Sequence, residues 1–586
     1  MQQHDSDVLV IGSGGAGMRA AIEAVKTASV TVVSKGPLGR SGATVLSGAD
    51  IMADGGSLHR LGYSDKPGDS PEAWTQDILV EGFWLNDENL VDMYTRNAGA
   101  CVEELLGWGM KVRGTEERAL ITTGMSICAA LRSGLAQEAS HAVTRVEGVT
   151  IFELVVSHGR VVGALGIDFA TGDYVVFRAK TVILATGGWH QAYRFNAGAD
   201  ELTGDGQAMA YRAGAELVDM EMVTFAPNIL LAPPAHRGSL WFYVLPGTLL
   251  NRNGDAFMNW EDPNVAKLAL TSEWNKLLFS KASIREVREG RGGPLGGVYF
   301  SMKHLPENLF DALEEDYPGW RFQGDDFSGL MSKMRDGYAA EVGPAAEYFE
   351  GGIRISERCE TSIPGLYAAG ECSGGLFGAN RVAAATTEMV VEGMIAGREA
   401  AQAALGLEIF PFSEAKLVEM IDEQEQVITR KTEEVSVFEL RRRLRDISYD
   451  KVGVLRDADT LTAAAAELEE IRETSKRLSL TTKRRDHNRE WTEAVELRNM
   501  LQCVHLSALS ALERTESRGV HVREDHPYVD NENWRRHLVV EKRENHAAFV
   551  SIPVVSKTVL PLTRVPYEEA IVRAAESLVG RQEEER

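Results

Sequence analysis

The sequence predicts an α/β protein in which a Rossmann-like nucleotide-binding domain is interrupted by an insert and followed by a helical bundle. Three observations predict it: a strand–turn–helix–strand unit at the amino terminus, two later strands that end in small residues, and long charged helices after residue 412. Alternating strands and helices are typical of a parallel sheet. The 586 residues also exceed what a single hydrophobic core usually organises, so several domains are expected.

Composition narrows the functional classes. Lys and Arg number 62 against 86 Asp and Glu, a formal net charge of −24 at pH 7, so most of the surface would repel nucleic acid. Five scattered cysteines without a C-x-x-C pair predict neither a disulfide framework nor a metal or iron–sulfur site within the chain. An acidic start before the first strand and the lack of an apolar run of about 18 residues predict a cytoplasmic protein without direct membrane insertion.

The amino-terminal unit carries a nucleotide motif. Residues 8–33 read as an apolar strand, the turn Gly-Ser-Gly-Gly-Ala-Gly, an Ala-rich helix and a second apolar strand. In this context the turn predicts a dinucleotide site, because glycines let the backbone approach a pyrophosphate at the positive end of a helix. The second strand ends in Ser34 and Lys35, where an NAD-binding fingerprint has an acidic residue for the ribose. This departure argues against a plain NAD enzyme.

Two further strand ends lie far along the chain. Residues 181–188 and 364–371 each read as a buried strand that stops at small residues, and the second is followed by an acid. An inserted segment is therefore predicted to interrupt the chain of the nucleotide domain. The predicted boundaries are 1–235 and 346–411 for the two parts of the nucleotide domain, 236–345 for the insert, 412–545 for the helical domain and 546–586 for an extended, proline-containing tail.

These motifs together resemble the flavoprotein subunits of succinate dehydrogenase and fumarate reductase, a family that includes L-aspartate oxidase and, more distantly, adenylylsulfate reductase. The resemblance spans nearly the whole chain. It is carried by the 12–17 turn, Ser34-Lys35, Ala185-Thr186-Gly187-Gly188, Thr203-Gly204-Asp205-Gly206, Gly370-Glu371-Cys372, Gly378-Ala379-Asn380-Arg381, and the run from Glu516 through Arg518 to His521.

The resemblance implies that the nucleotide domain binds FAD, that the insert is an α+β capping domain over the isoalloxazine ring, and that the substrate lies between them. Glu371 would accept a hydrogen bond from a ribose hydroxyl. Asp205 would begin a helix that faces the cofactor, although it could also serve only as a helix cap. The implied cofactor-binding residues are Gly12, Gly14, Gly15, Ala16, Gly17, Ser34, Lys35, Arg40, Ser41, Gly42, Ala43, Thr44, Ala185, Thr186, Gly187, Gly188, Asp205, Glu371 and Arg381.

One departure from the family concerns the flavin. Succinate dehydrogenases and fumarate reductases usually attach FAD to a histidine that follows an Arg-Ser pair. Here Arg40-Ser41 is followed by Gly42-Ala43-Thr44, without a histidine. The FAD is therefore expected to be bound noncovalently.

The substrate pocket departs further. Ala226 stands where the family has a substrate-binding histidine, Lys276 falls near the family's proton-donating arginine, and Glu347 replaces a second histidine. The loop at 240–247 carries aromatic residues in place of charged ones, while Arg381 keeps a fork suited to a carboxylate. A small dianion would be poorly held by such a pocket, which favours a larger substrate with one carboxylate or acyl head.

Several roles stay open at this stage. Lys276 is either a solvated surface residue or a buried proton donor, and Glu347 is either an acid–base group or the partner of a cap arginine. Trp241, Phe242 and Tyr243 are either core residues of the cap or part of the substrate wall. Arg381, Lys276 and Glu347 are the candidate catalytic residues.

The predicted function is an FAD-dependent oxidoreductase that moves a hydride between flavin N5 and a C–C bond of a carboxylate or acyl substrate. Because the chain lacks a cluster-forming cysteine set, electrons are expected to pass through a bound partner, a soluble mediator or oxygen. The resemblance implies that the partner is a separate iron–sulfur subunit, and a stand-alone oxidase is the alternative. Four alternatives remain: a true fumarate reductase or succinate dehydrogenase subunit, an aspartate oxidase, an enzyme like adenylylsulfate reductase, and a noncatalytic FAD-binding scaffold.

Overall fold

The computed structural model describes residues 2–139, 143–239, 247–258, 275–316, 319, 321–322, 325–431, 435–544, 546–561 and 563–584. Its strands, numbered along the chain, are β1 Gln2–Ile11, β2 Val30–Ser34, β3 Asp50–Met52, β4 Gly114–Glu116, β5 Ala119–Ile121, β6 Val143–Glu147, β7 Val149–Ser157, β8 Arg160–Asp168, β9 Tyr174–Leu184, β10 Leu217–Val218, β11 Val223–Leu230, β12 Thr248–Leu250, β13 Val298–Ser301, β14 Arg321–Phe322, β15 Asp325–Asp326, β16 Ala340–Phe349, β17 Gly352–Arg354, β18 Leu366–Ala368, β19 Ser373–Gly374, β20 Leu455–Arg456, β21 Val522–Arg523, β22 Tyr528–Asp530, β23 Arg536–Arg543, β24 His546–Pro553 and β25 Arg564–Pro566.

The helices span Gly15–Ala24, Ala43–Leu46, Gly55–Arg60, Pro71–Glu81, Glu88–Gly107, Gly124–Ala139, Asp205–Ala213, Asn275–Arg288, Glu307–Asp316, Ser328–Arg335, Ala385–Ala404, Glu414–Thr429, Val437–Lys451, Ala458–Ser475, Arg489–Glu513, Asn531–Trp534 and Tyr567–Glu584. Two 3-10 turns lie at His190–Ala192 and Pro234–His236. Among the helices of the described residues, none is both long and apolar enough to cross a membrane.

The largest sheet has the strand order β6-β2-β1-β9-β8-β7, and β18 also pairs with β9. Strands β6, β2, β1, β9 and β18 run parallel to one another, whereas β8 is antiparallel to β9 and β7 is antiparallel to β8. The apolar run of β1 is buried, because the helices Gly15–Ala24 and Ala385–Ala404 cover the sheet. The carboxyl ends of β1, β2, β9 and β18 meet at one edge, where parallel α/β sheets bind their ligands.

A second sheet of order β11-β16-β13-β12 lies in the middle of the chain. It has its own apolar cluster, formed by residues such as Phe300, Phe310, Met331 and Val342. The helix Asn275–Arg288 packs on β11 and β16. Its side chains divide between the two cores: Leu277 and Ile284 join the main cluster and Phe279 joins the second. This helix therefore contributes to both the main apolar cluster and the second one.

The carboxyl-terminal helices pack on one another and on the main body. The helix Ala458–Ser475 lies between Val437–Lys451 and Arg489–Glu513, with buried apolar residues at helical spacing. Asp457 begins it with a capping box. These helices therefore form the helical domain that the sequence predicts.

A buried charge cluster follows the last long helix. The Arg514 guanidinium binds Glu221 Oε1 at 2.5 Å, Asp219 Oδ1 at 3.1 Å and Glu516 Oε1 at 3.2 Å. His537 Nδ1 lies 2.6 Å from Asp219 Oδ2. Because each of these charges is buried and paired, loss of one partner would leave an uncompensated charge in the core.

The prediction of an extended tail is wrong for the end of the chain. Strand β24 pairs with β23 at the edge of the sheet β19-β17-β10-β23-β24, and the 18 residues Tyr567–Glu584 form a helix. The helix forms because Tyr567, Ile571, Ala574 and Ala575 recur at helical spacing and are buried. The prolines that suggested an extended segment lie before this helix.

Candidate functional site

The glycine turn after β1 leaves a helix N-terminus open. Gly12 has a φ of 108°, and a Cβ there would meet the Ala185 carbonyl oxygen at 2.1 Å, so this residue must be glycine. The next helix starts after Gly14, without a side-chain cap. A Cβ at Gly14 would have only Thr44 Oγ1 nearby among the described residues, at 3.5 Å. The backbone at this helix end is thus accessible to an anion such as pyrophosphate.

The segment at 40–44 lies against the turn. Thr44 Oγ1 accepts a hydrogen bond from the Gly15 N–H at 3.0 Å. Gly42 has a φ of 80°, and a Cβ there would have no neighbour within 4 Å in the described part of the chain. Arg40 is exposed, and Ser41 donates a hydrogen bond to the Pro37 carbonyl. This part of the predicted cofactor segment borders open space, which fits a bound group.

Lys35, at the end of β2, holds a carboxylate cluster together. Its Nζ donates to Thr203 Oγ1 and Asp205 Oδ2 at 2.7 Å each and to Glu496 Oε1 at 2.9 Å. Burial alone would lower the pKa of Lys35, but Asp205 and Glu496 outweigh it and raise the pKa. Asn499 donates to the other Asp205 oxygen at 2.8 Å. Both Asp205 oxygens are therefore engaged by protein groups.

Asp205 is not the cap of its helix. The N-cap residue is Gly204, with a φ of 73°, and Asp205 is the first helical residue. Its negative charge nevertheless lies at the positive end of the helix, where a carboxylate is stabilising. Asp205 thus orders Lys35 beside the nucleotide edge, and a direct contact with the cofactor stays a prediction.

Glu371 follows β18 and lies beside the small-residue turn after β9. Its Oε2 accepts the Gly188 N–H at 3.0 Å. Its Oε1 is buried, lies 3.4 Å from His190 Nε2 and makes no hydrogen bond among the described residues. Burial raises the pKa of Glu371, with His190 opposing it. An acceptor without a donor at this edge of the sheet fits a sugar hydroxyl of a nucleotide cofactor.

Except for Asp205, which is joined to this edge through Lys35, and Arg381, which lies beside Glu347, the residues predicted to bind FAD lie at one edge of the main sheet and fit a dinucleotide there. The set comprises Gly12 to Gly17 after β1, Ser34 and Lys35 at the end of β2, Arg40 to Thr44 beside the turn, Ala185 to Gly188 after β9, and Glu371 after β18. Thr186 Oγ1 accepts the Gly206 N–H at 3.1 Å and so joins the β9 turn to the Asp205 helix.

The three candidate catalytic side chains converge. Lys276 Nζ donates to Glu347 Oε2 at 2.7 Å, and Arg381 Nη2 lies 3.8 Å from Glu347 Oε1. Lys276 is 1% exposed, which excludes the solvated surface role left open by the sequence. Burial would raise the pKa of Glu347, but Lys276 and Arg381 lower it, so the carboxylate is held in its charged form.

Arg381 is fixed by groups from several elements. Its guanidinium lies 4.8 Å from the centre of the Tyr348 ring, within cation–π range. The Tyr348 hydroxyl donates to Glu388 Oε2 at 2.5 Å. Burial raises the pKa of Glu388 well above its usual range. The Arg381 side chain is 13% exposed, and its Nη1 donates to the Ala383 carbonyl at 3.4 Å.

Ala226 lies outside this convergence. It is fully buried in β11 and clusters with Ile229 and Ala345. Because its side chain is a methyl group, Ala226 supplies no polar group to the site. Trp241, Phe242 and Tyr243, and with them the loop segment 240–246, lie outside the described residues, so their roles stay predictions.

Sequence reasoning missed three side chains at the site. His190 is buried, and its Nε2 lies 2.7 Å from the Glu347 carbonyl oxygen. Tyr348, on β16, places its ring against the Arg381 guanidinium. Glu350, just after β16, accepts a hydrogen bond from the backbone N–H of Arg381. Their positions in the sequence could have indicated them. His190 closely follows the Gly187-Gly188 turn, and Tyr348 and Glu350 lie one and three residues after Glu347.

Comparisons with known proteins agree with this geometry. A family model described as an FAD binding domain matches residues 7–387, and one described as the fumarate reductase flavoprotein C-term matches residues 441–568. The chain is 33% identical over 565 residues to one component of the fumarate reductase (CoM/CoB) of Methanothermobacter marburgensis, covering 92% of this chain and 98% of that protein.

Solved structures show the same fold over nearly the whole chain. Sdh1 of Mycobacterium smegmatis in complex with UQ1 superposes with a TM-score of 0.84 at 28% identity, covering 94% of this chain and 95% of that one. A variant of E. coli quinol fumarate reductase gives 0.82 at 27% identity, covering 96% and 99%. The chain therefore belongs to the family of fumarate reductase and succinate dehydrogenase flavoprotein subunits, and like them it is an FAD-dependent oxidoreductase.

Proposed function

We propose that this chain oxidises or reduces a C–C bond next to a carboxylate or acyl group, in a substrate larger than succinate. The observation that carries the proposal is the convergence of Lys276, Glu347 and Arg381 beside the nucleotide edge. A buried lysine bonded to a carboxylate can deliver a proton, and an arginine with an accessible fork can hold an anion.

Each side chain has a distinct task in the proposed reaction. FAD, when bound, exchanges a hydride with the substrate carbon. Arg381 holds the anionic head, and the Tyr348 ring fixes the plane of its guanidinium. Lys276 supplies the proton that a reduction needs or removes one during an oxidation. Glu347 orients the Lys276 ammonium through the 2.7 Å hydrogen bond and provides an opposite charge beside it.

The charges of the site support a substrate with one anionic group. Lys276 and Arg381 face Glu347, and the carboxyls of Asp50, Glu350 and Glu371 also interact with Arg381, so positive charge is scarce at the site. A dicarboxylate would bring a second negative charge towards Glu347, where it would lack a partner. A monocarboxylate, thioester or similar head with a larger body avoids this cost.

Fumarate or succinate is the second candidate substrate. It is favoured by the 33% identity over nearly full length to a protein named fumarate reductase, and by the retention of Arg381 at the end of Gly378-Ala379-Asn380. The two candidates differ in how many carboxylates must be bound, so they can be separated by direct titration.

We also propose that the FAD is held noncovalently and that electrons pass to a separate iron–sulfur subunit. The first proposal is supported by the residues after Arg40-Ser41, which offer glycine, alanine and threonine but no imidazole. The second is supported by the similarity to proteins that are named as components of larger enzymes and by the five buried, dispersed cysteines of this chain.

The test is an anaerobic titration of the purified protein followed by its absorbance. Denaturation should release the flavin into solution, whereas flavin retained on the polypeptide would contradict noncovalent binding. Native protein is then titrated with succinate, with fumarate after chemical reduction, and with larger enoates and acyl thioesters. We expect a response only to the larger compounds. Bleaching by succinate would assign the dicarboxylate function instead, and no response to any compound would contradict both.

A further inference from the structure

A second buried carboxyl, Glu350, lies just beyond the end of β16. It is 2% exposed. Its Oε1 accepts hydrogen bonds from the Thr224 hydroxyl and, at 3.3 Å, from the Arg381 N–H. Its Oε2 is buried and has no hydrogen-bond partner among the described residues. A carboxyl that is buried, half satisfied and attached to the anion-binding arginine needs a reason for being there.

The Thr224 side of this pair borders a small cavity that also reaches Lys276. The cavity has a volume of about 20 Å³ and is lined by Thr224, Phe225, Lys276, Ser280 and Tyr567, among others. That volume holds one water molecule, and the lining residues Thr224, Lys276, Ser280 and Tyr567 carry polar side chains that can partner a water. Thr224 thus has a buried carboxyl on one side and the Lys276 cavity on the other.

We propose that Glu350 is the proton reservoir of the active site and recharges Lys276 through the Thr224 hydroxyl and one water in this cavity. The inference rests on the proposed function, because it assigns the source of the proton that Lys276 gives to the substrate. It makes Glu350 and Thr224 positioning residues, since neither touches the substrate.

The proton balance of the route is simple. Reduction of a C–C double bond adds one hydride and one proton to the substrate. Lys276 loses that proton as its N–H bond breaks and a substrate C–H bond forms, which leaves a neutral amine. The amine takes a proton from the cavity water, the water takes one from Thr224, and Thr224 takes one from the Glu350 carboxyl. Glu350 is left as a carboxylate and regains its proton from solvent after product release.

The charges around Glu350 allow this cycle. Burial raises the pKa of Glu350 to about 7, although the Thr224 hydrogen bond and the Arg381 charge lower it. Arg456, on β20, is a further charged group that acts on it. Lys276 lines the cavity that Thr224, the hydrogen-bond partner of Glu350, also lines. The carboxyl is therefore poised between its two protonation states near neutral pH.

The first experiment is infrared difference spectroscopy of the full-length, FAD-loaded protein as a function of pH. We expect a protonated-carboxyl band that disappears as the pH rises through about 7 and that is absent in Glu350→Gln. Thr224→Val should shift the frequency of the band, because it removes the hydrogen bond, while Thr224→Ser should restore it. Identical spectra for wild type and Glu350→Gln would overturn the inference, whatever the substrate.

The second experiment measures steady-state rates with the substrate that oxidises the reduced flavin. Glu350→Gln and Thr224→Val should each lower kcat about ten-fold, with a larger solvent isotope effect and little change in KM. Thr224→Ser should keep the wild-type rate, because the hydroxyl is retained. Equal rates for Thr224→Val and Thr224→Ser would overturn the route. A wild type that turns over no substrate would contradict the proposed function, whereas the infrared band would still report on Glu350.

Discussion

Arg381 is held from three directions, so the anion binding that we propose for it would cost little conformational entropy. The Tyr348 ring lies under its guanidinium, Glu347 lies 3.8 Å from one end, and Glu350 accepts its backbone N–H. A pre-oriented planar fork loses little freedom when it pairs with a carboxylate. The anchor is therefore a property of β16 as much as of Arg381 itself.

Replacing Arg381 tests the anchor. We expect Arg381→Ala to raise KM by about 100-fold, since loss of a charge-assisted bidentate contact costs on the order of 3 kcal/mol. Arg381→Lys should recover only part of the affinity, because an ammonium cannot form the bidentate contact. Initial rates at low substrate concentration give kcat/KM directly, and a value unchanged in Arg381→Ala would refute the role. Flavin absorbance of each variant controls for cofactor loss.

Lys276 gives a complementary prediction about rate. Lys276→Met preserves the length of the side chain but removes the proton, so kcat should fall by about 100-fold or more with a smaller change in KM. The double variant Lys276→Met with Glu347→Gln removes both charges and should fold better than the single variant, in which Glu347 loses its 2.7 Å hydrogen bond and keeps only Arg381 at 3.8 Å. Pre-steady-state mixing of the reduced protein with substrate would measure the rate of substrate reduction, which includes the proton transfer from Lys276. A normal rate in Lys276→Met would exclude it as the donor.

The sequence predicted many of these residues but not their partners. The glycine turn, Ser34-Lys35 and the two later strand ends follow from local patterns, and the structure places them at one edge. The Lys276–Glu347 bond joins residues 71 positions apart, so no local pattern could reveal it. The Lys35–Asp205–Glu496 cluster likewise depends on tertiary packing of the helical segment against β2.

At the scale of elements, the helix Asn275–Arg288 connects the substrate side to the rest of the protein. Lys281 on this helix lies 4.9 Å from the ring centre of Tyr567 and pairs with Glu568 at the start of the last helix. The Tyr567 hydroxyl donates to the Gly519 carbonyl at 2.6 Å. Arg288 at the other end donates to the Leu455 carbonyl at 2.7 Å. The last helix thus helps to place Lys276.

We expect Lys281→Met to loosen this attachment. Because Glu568 is largely exposed, the ion pair contributes less than about 1 kcal/mol, and most of the effect should come from the lost contact with the Tyr567 ring. Amide hydrogen exchange of residues 275–288 should become faster and kcat should fall a few-fold. Lys333→Met, which removes an exposed lysine from the helix Ser328–Arg335, is the matched control. Unchanged exchange in Lys281→Met would show that the last helix does not hold this element.

Whole-molecule stability should depend on pH through buried carboxyls. Burial raises the pKa of Glu392 to about 7, although Ser373 and Gly370 donate to it at 2.8 and 2.7 Å. A carboxyl with a raised folded-state pKa adds stability that is fully present below its unfolded pKa and is lost as the pH rises through about 7. Glu350 acts in the same direction. The contribution of these carboxyls to the free energy of unfolding should therefore fall between about pH 5 and 7, while His521 and His505, whose pKa values burial lowers, contribute in the opposite direction.

Chemical denaturation at several pH values checks this prediction. In Glu392→Gln, the change in unfolding free energy over that pH range should be smaller by up to roughly 3 kcal/mol, because the pKa of Glu392 is raised from its usual value to about 7. Glu399→Gln is the matched control. Glu399 lies on the same helix as Glu392, and its carboxylate pairs with Arg358. A slope in Glu392→Gln equal to that of the wild type would show that this carboxyl is not the source.

The two separate apolar clusters have a consequence for how such a protein changes over evolutionary time. The cofactor edge is built on the main cluster, whereas β11, β13 and β16 also enclose a second one. On the substrate side, Phe225, Leu277, Tyr348 and Phe349 belong to the main cluster, so substitutions there also act on the core beneath the cofactor edge. Ala226 instead lies in a small cluster with Ile229 and Ala345, so a lineage can alter that position with less effect on the flavin-binding core.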